Sequence, residues 1–184
     1  MRYEGLAIKA VVFDLDGTLI EFNLDYKSAR AEVIQLLGTR GFPQSLFSIK
    51  ESVFEMLKKV QIIMKNNTKD LKEFARLKEA VLALLEKYEL KSASSTRLLS
   101  GAFETLKALR KTGLKLALFT VNSQKSTNYI LEALQLRGFF DAVVTRESVP
   151  MVKPNPIHLE STLKALKVKP EKPLIVGDSV WDMK

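Results

Sequence analysis

The feature that most limits the fold of this chain is an alternation of short apolar runs with helical segments between residues 100 and 184. Short apolar runs bounded by turn residues are typical of buried strands. They lie at Leu116–Thr120, Ala142–Thr145 and Leu174–Val176. Helices are predicted from the Ser100 N-cap to Gly113, from about Ser123 to Leu136 and from about Pro156 to Lys167. Strands that alternate with helices in this way indicate βαβ units and a parallel sheet.

A further strand, Ile8–Phe13, lies near the N-terminus and is followed by an Asp-x-Asp-Gly turn. Between this strand and residue 100 the sequence predicts only helices, at Tyr26–Leu37, around residues 48–64 and at Asp70–Leu90. The second of these helices is predicted to begin at a capping box formed by Ser48 and Glu51, with Ile49 as its first apolar position.

The all-helical stretch separates the first strand from the other three, so it reads as an insertion into an α/β core. The length of 184 residues fits one domain or two small ones, at roughly 150 residues per domain. We predict a doubly wound parallel-sheet core formed by residues 1–20 and 101–184, and an inserted helical domain at residues 21–100.

The composition excludes several kinds of chemistry. The chain has no Cys, which excludes disulfides, thiolate catalysis and Cys-ligated zinc, and its single His is His158. A His-rich metal site and a Ser-His-Asp triad are therefore not expected. The net charge of +8 is spread along the chain without a run of five like charges, so no nucleic-acid partner is expected.

The N-terminal segment gives no sign of a membrane partner. Its apolar run is interrupted by Lys9 and ends at Asp14, which makes it too short for a signal sequence or a membrane span. A cytoplasmic location is the expectation that follows.

Polar residues follow each predicted strand of the core. In chain order these groups are Asp14, Asp16, Gly17 and Thr18, then Thr120 and Asn122, then Lys153, Pro154 and Pro156, then Gly177, Asp178, Ser179 and Asp182. Ligands of open parallel sheets bind outside the carboxyl ends of the strands. We therefore expect the four groups to converge on one site.

The residue types in these groups indicate phosphoryl chemistry. Asp14, Asp16 and Asp178 would repel one another unless a cation neutralised them, and an all-oxygen set of ligands suits Mg²⁺. Lys153 adds a compact positive charge, and Thr120 with nearby backbone amides adds hydrogen-bond donors for an anion. A carboxylate left free to attack phosphorus would form a covalent aspartyl-phosphate.

The groups also resemble the motifs of a known family. Their order, as Asp14-Leu15-Asp16-Gly17-Thr18-Leu19, Thr120, Lys153-Pro154-Asn155-Pro156 and Gly177-Asp178-Ser179-Val180-Trp181-Asp182, resembles that of the haloacid dehalogenase (HAD) superfamily. The similarity is to the phosphoglycolate-phosphatase-like branch, whose helical cap is inserted between the first and second motifs. It implies a strand order of 3-2-1-4 with the first strand central. Because such proteins continue through another helix and strand, it also implies that the sequence is truncated at Lys184.

The resemblance implies a role for each matched residue. Asp14 is expected to be the nucleophile, and Asp16 the general acid that later acts as base for water. The expected metal ligands are Asp14, Asp178 and the backbone carbonyl of Asp16. The expected phosphate contacts are Thr120, Asn122 and Lys153. Asp182 is expected to support the metal site or Lys153 without binding the metal itself.

The activity implied is Mg²⁺-dependent hydrolysis of a small phosphate monoester such as phosphoglycolate, so the expected partner is a small phosphorylated metabolite. A phosphomutase, a pyrophosphatase of the same superfamily or a non-catalytic binding protein remain as alternatives, and the oligomeric state is open between monomer and dimer. Outside the motifs, we expect His158 on a solvated helix face and Arg146 and Glu147 at the surface.

Overall fold

The sheet is built from short apolar strands that pair in parallel. A computed structural model describes residues 2–3, 6–66, 71–169 and 173–183. Its strands are β1 (Arg2–Tyr3), β2 (Leu6–Ala7), β3 (Ala10–Phe13), β4 (Lys115–Phe119), β5 (Ala142–Val144) and β6 (Pro173–Val176). β1 and β2 form a separate antiparallel pair, and the other strands form a four-stranded parallel sheet in the order β5-β4-β3-β6. The predicted order, with the first strand of the sheet central, is confirmed.

The register of the sheet brings the ends of its strands to one edge. Phe13, the last residue of β3, is paired with Leu118 on β4 and with Val176 on β6. Because the strands are parallel, the segments that follow them leave the sheet on the same side. The polar groups of the sequence lie in these segments.

The helices that follow residue 100 pack against the two faces of the sheet. The α-helices among the described residues are α1 (Tyr26–Thr39), α2 (Val53–Asn66), α3 (Leu71–Ala93), α4 (Ala102–Lys111), α5 (Gln124–Ala133) and α6 (Pro156–Leu166). None of them, within the described ranges, has both the length and the apolar content needed to cross a membrane.

Alternate residues of β3 pack against different helices, because successive side chains of a strand point to opposite faces. Val11 and Phe13 belong to a buried cluster that contains Leu106 of α4 and Leu131 of α5. Ala10 and Val12 belong to a second cluster, which contains Leu163 and Leu166 of α6. The strand is at most 3% exposed throughout, and this burial on both faces explains its unbroken apolar sequence. The predicted fold class, a doubly wound α/β core, is confirmed.

The chain divides into two compact units, Leu24–Ser92 and the combination of Met1–Asn23 with Ala93–Lys184. The first unit contains α1, α2 and nearly all of α3. Its buried core comes from residues at helical spacing, such as Ala29, Val33 and Leu37 of α1 and Met56 and Val60 of α2.

The start of α2 differs from the prediction. The helix begins at Val53 and is capped by Ser52 and Glu55, whose side chains each accept a hydrogen bond from the other's backbone N–H, at 3.2 and 2.7 Å. The predicted pair, Ser48 and Glu51, closes a turn before the helix instead. Ile49 is 48% exposed and packs in no core, which explains why the helix does not extend back to it.

Other helix ends shift by a few residues. Ser100 is not the cap of α4, because Gly101, with a φ of 80°, occupies that position without a side-chain hydrogen bond. Ser123 does cap α5, and its side chain accepts a hydrogen bond from the Ser126 N–H, but the helix ends at Ala133. Asp70, the predicted first residue of the third helix, lies outside the described residues.

Candidate active site

Backbone hydrogen bonds hold the strand ends together where the site forms. The Asp14 N–H donates to the Val176 carbonyl at 2.9 Å, and the Thr120 N–H donates to the Val144 carbonyl at 3.0 Å. These bonds continue the parallel pairing one residue beyond β3 and β4. They fix the first polar residue after each of these strands beside its neighbouring strand.

The ammonium group of Lys153 lies between two carboxylates. Its Nζ is 2.5 Å from Asp14 Oδ1 and 2.6 Å from Asp182 Oδ1. The Lys153 side chain is 8% exposed and the Asp182 side chain 1%, so water screens these charges weakly. The same ammonium lies 4.4 Å from the centroid of the Phe119 ring, which places an aromatic face behind it.

The carboxyl group of Asp14 is affected by burial and by its charged neighbours. Burial, which is the largest effect, and the charge of Asp182 raise the pKa of Asp14, and the positive charge and hydrogen bond of Lys153 offset part of that rise. The net result is a pKa of about 6. The group is therefore largely ionised at neutral pH. A second cation would stabilise the carboxylate form further.

Three carboxylates form a cluster that could bind a cation. Oxygen atoms of Asp14, Asp178 and Asp182 all lie within 4.8 Å of one another. A Cβ atom at Gly17 would collide with the Asp178 carboxylate, so the absence of a side chain there leaves room for that group. Three closely spaced carboxylate oxygens match the ligands that Mg²⁺ prefers, so the residues present fit that ion. Asp182 belongs to this cluster itself, although we expected it outside the metal ligands.

The side chain of Asp16 has a different partner. Asn122 Nδ2 donates a hydrogen bond to Asp16 Oδ2 at 2.6 Å, and the Asn122 N–H donates to Thr120 Oγ1 at 3.2 Å. The Asp16 carboxylate is not part of the acidic cluster formed by the described residues. The structure thus separates the two aspartates of the Asp-x-Asp turn, one beside Lys153 and one beside Asn122.

The expectation for His158 is wrong. The side chain is fully buried, its Nδ1 accepts a hydrogen bond from the Lys153 N–H at 3.2 Å, and its Nε2 lies 3.4 Å from the Val144 carbonyl. Burial lowers the pKa of His158 to about 4. Helical spacing could have revealed this position, because His158 is in register with buried Thr162 and Leu166.

The expectation for Arg146 is also wrong. Arg146 is 6% exposed, and its Nη1 donates to the Val121 carbonyl at 3.3 Å. Glu147 does lie at the surface, with a side chain that is 43% exposed, and it accepts a hydrogen bond from the Gln124 N–H at the start of α5. No pattern in the sequence marks Arg146 as buried.

Comparisons with known proteins agree with this architecture. The family model of the haloacid dehalogenase-like hydrolases matches residues 8–184. The chain is 33% identical over 180 residues to a phosphoglycolate phosphatase of Nitrosospira multiformis, covering 96% of this chain and 78% of that protein. It is 28% identical over 180 residues to the pyrophosphatase PpaX of Halalkalibacterium halodurans, covering 97% of this chain and 78% of that protein.

A solved structure, that of a hydrolase from Pseudomonas syringae, has the same fold, with a TM-score of 0.60 and 24% identity over 95% of this chain and 78% of that one. The fold and the site together are those of a class of hydrolases, with a parallel sheet that carries clustered carboxylates and a buried lysine at the carboxyl ends of its strands. This chain belongs to the haloacid dehalogenase-like hydrolase family. The predicted family and the prediction of a hydrolase are confirmed.

Proposed function

We propose that this protein is a Mg²⁺-dependent phosphatase that hydrolyses a small phosphate monoester through an aspartyl-phosphate on Asp14. The observation that carries this proposal is the 2.5 Å contact between Lys153 Nζ and Asp14 Oδ1. A phosphoryl group under attack by Asp14 would bring its negative oxygens to the same ammonium, which can stabilise the charge of the transition state.

The acidic cluster supports the metal in this proposal. Asp14 and Asp178 would hold Mg²⁺, with the Asp16 backbone carbonyl as a further ligand, and the position of Asp182 in the cluster makes it a candidate as well. When bound, Mg²⁺ would offset the negative charge of the carboxylates and of the phosphoryl oxygens.

The chain's own residues would carry the two half-reactions. In the first, an Asp14 oxygen forms a bond to phosphorus, the ester P–O bond breaks, and Asp16 gives its proton to the leaving oxygen. In the second, Asp16 takes a proton from a water molecule whose oxygen bonds to phosphorus, and the bond between phosphorus and Asp14 breaks. Thr120 and Lys153 would hold the phosphoryl group during both.

The relatives support small phosphate compounds as substrates and leave two candidates. Phosphoglycolate is favoured by the relative at 33% identity, and pyrophosphate is favoured by the PpaX relative at 28%. Both reactions require the same attack on phosphorus. The two reactions differ in the leaving group, which is the alkoxide of glycolate when phosphoglycolate is the substrate and phosphate when pyrophosphate is the substrate.

A phosphate-release assay tests the proposal. The purified chain is incubated with phosphoglycolate, 4-nitrophenyl phosphate and pyrophosphate, each with Mg²⁺ and with excess chelator, and Asp14→Asn is the inactive control. We expect Mg²⁺-dependent release from the esters, with phosphoglycolate turned over faster than pyrophosphate. A hexose phosphate is added as a fourth compound, because a phosphomutase would move its phosphoryl group without net release. A binding protein would release phosphate from none of these compounds.

A further inference from the structure

His158 connects the end of one strand to the backbone of the site lysine. It lies in the first turn of α6, is fully buried, and has a backbone group within hydrogen-bond distance of each ring nitrogen. Nδ1 accepts from the Lys153 N–H at 3.2 Å, and Nε2 is 3.4 Å from the carbonyl of Val144, the last residue of β5. Neither contact involves a side chain of the proposed mechanism.

These two contacts require one form of the imidazole. The Lys153 N–H can only donate, so Nδ1 must present a lone pair, and the Val144 carbonyl can only accept, so Nε2 must carry the proton. The neutral ring with its proton on Nε2 satisfies both groups at once. An imidazolium ring, or the opposite tautomer, would leave the Lys153 N–H facing a second donor.

The position of the Lys153 backbone determines where its ammonium can reach. Nζ contacts both Asp14 and Asp182, and its location above the Phe119 ring leaves little freedom to compensate for a shift of the main chain. The His158 ring also packs near the Phe119 ring, with 5.5 Å between centroids. A displacement of about 1 Å at such a group can reduce a reaction rate about 10²-fold.

We infer that His158 is a positioning residue, which acts through the Lys153 backbone to hold the Lys153 ammonium beside the nucleophile. Its effect on catalysis rests on the proposed phosphatase function, whereas the hydrogen-bonding arrangement does not. Of the described residues, His158 alone accepts a hydrogen bond from the Lys153 N–H. The ring therefore fixes the loop that precedes α6 from inside the core.

The experiment compares three substitutions that differ in the acceptor they supply. His158→Asn places an amide oxygen near the position of Nδ1, His158→Gln extends its amide toward the position of Nε2, and His158→Leu supplies neither. We expect kcat/KM for 4-nitrophenyl phosphate to fall less than about 3-fold in His158→Asn and about 10-fold to 10²-fold in the other two. Inhibition by inorganic phosphate should weaken in the same order, because Lys153 would contact that anion.

A control separates positioning from general loss of stability. Leu166 is a buried residue at the other end of α6 from His158, and Leu166→Ala removes most of its side chain from the core. We expect Leu166→Ala to keep the wild-type kcat/KM at a temperature where it remains folded. If His158→Asn and His158→Gln lose equal activity, or if His158→Leu keeps wild-type activity, the inference is wrong. If His158→Leu fails to fold, the comparison of His158→Asn with His158→Gln still tests whether His158 positions Lys153.

A second measurement does not depend on activity. Because His158 is the single histidine of the chain, its ring nitrogens can be observed by ¹⁵N NMR without assignment of other residues. We expect a neutral ring protonated at Nε2 at pH 7. An imidazolium or an Nδ1-protonated ring would overturn the inference, whereas a chain with the expected tautomer and no phosphate release would overturn only the proposed function.

Discussion

The carboxamide of Asn122 donates a hydrogen bond to the carboxylate of Asp16, with 2.6 Å between Nδ2 and Oδ2 across 106 residues of sequence. Asn122 is itself held by its N–H, which donates to the Thr120 hydroxyl. Asn122 is 7% exposed, so few alternative rotamers are open to it. The structure therefore gives Asn122 a way to orient Asp16, in addition to the phosphate contact expected from the sequence.

Substitution of Asn122 distinguishes these two roles. In Asn122→Ala, Asp16 loses a fixed partner, so proton donation to the leaving group should be impaired. We expect kcat to fall about 10-fold or more with an alkyl phosphate such as phosphoglycolate and much less with 4-nitrophenyl phosphate, whose leaving oxygen needs little protonation. Steady-state kinetics with both esters measures this difference. An equal loss with both would favour a direct phosphate contact.

Gly17 offers a test of the metal site that removes no ligand. Its φ of +76° and its contact with the Asp178 carboxylate mean that the Cβ of Gly17→Ala must displace that carboxylate. We expect the Mg²⁺ concentration for half-maximal activity to rise about 10-fold to 10²-fold, as is usual when the support of a metal ligand is lost. Titration of activity with Mg²⁺ measures the change.

The matched control is Gly113→Ala, because Gly113 has the same φ of +76° as Gly17. A Cβ at Gly113 has no atom within 4 Å, so this substitution should leave the Mg²⁺ dependence unchanged. If Gly17→Ala showed the same Mg²⁺ dependence as Gly113→Ala, Asp178 would not be a ligand of the metal.

The buried imidazole of His158 predicts an acid-dependent loss of stability. Burial lowers the pKa of His158 from 6.5 to about 4 in the folded chain, so between these values the unfolded chain binds a proton that the folded chain does not. The free energy of unfolding should therefore fall as the pH drops through this range, by about 2–3 kcal/mol between pH 7 and pH 4.5.

Urea unfolding at both pH values, with His158→Asn as the reference that cannot titrate, isolates this contribution. The wild-type chain should lose about 2–3 kcal/mol more than the variant. If the free energy of unfolding fell equally in the two proteins, His158 would titrate with its ordinary pKa in the folded chain.

The sheet and the edge where the site lies were predictable from local patterns. The run Ala10–Phe13 is apolar at every position because it is buried on both faces, and an Asp-x-Asp-Gly turn follows it directly. Helix ends were less predictable, since two Ser-x-x-Glu boxes follow one another directly before α2, at residues 48–51 and 52–55. The choice of Ser52 over Ser48 depends on Val53 being buried in the tertiary core and Ile49 being exposed.

The contacts that orient the site residues could not be predicted, because they join distant segments through single atoms. The bond between Asn122 and Asp16 is one example. His158 is another, since its two partners are backbone groups that no side-chain pattern reveals. For Asp182, the sequence placed the residue near the metal and Lys153, but its contact with the Lys153 ammonium depends on the conformation after β6.

In the proposed mechanism, Asp14 and Asp16 have separate roles. Asp14→Asn removes the attacking oxygen's charge, so turnover should fall to background and no phosphoenzyme should form. Asp16→Asn leaves the nucleophile but removes the proton donor and base, which should slow turnover about 10²-fold to 10⁴-fold.

The most direct measurement is mass spectrometry of the phosphoenzyme. Asp16→Asn and Asp14→Asn are each mixed with 4-nitrophenyl phosphate and Mg²⁺, quenched in acid and digested. We expect a phosphoryl group on Asp14 in the Asp16→Asn protein, because hydrolysis of the intermediate lacks its base, and none in the Asp14→Asn protein. Turnover by Asp14→Asn, or a phosphoryl group on any residue other than Asp14, would show that Asp14 is not the nucleophile.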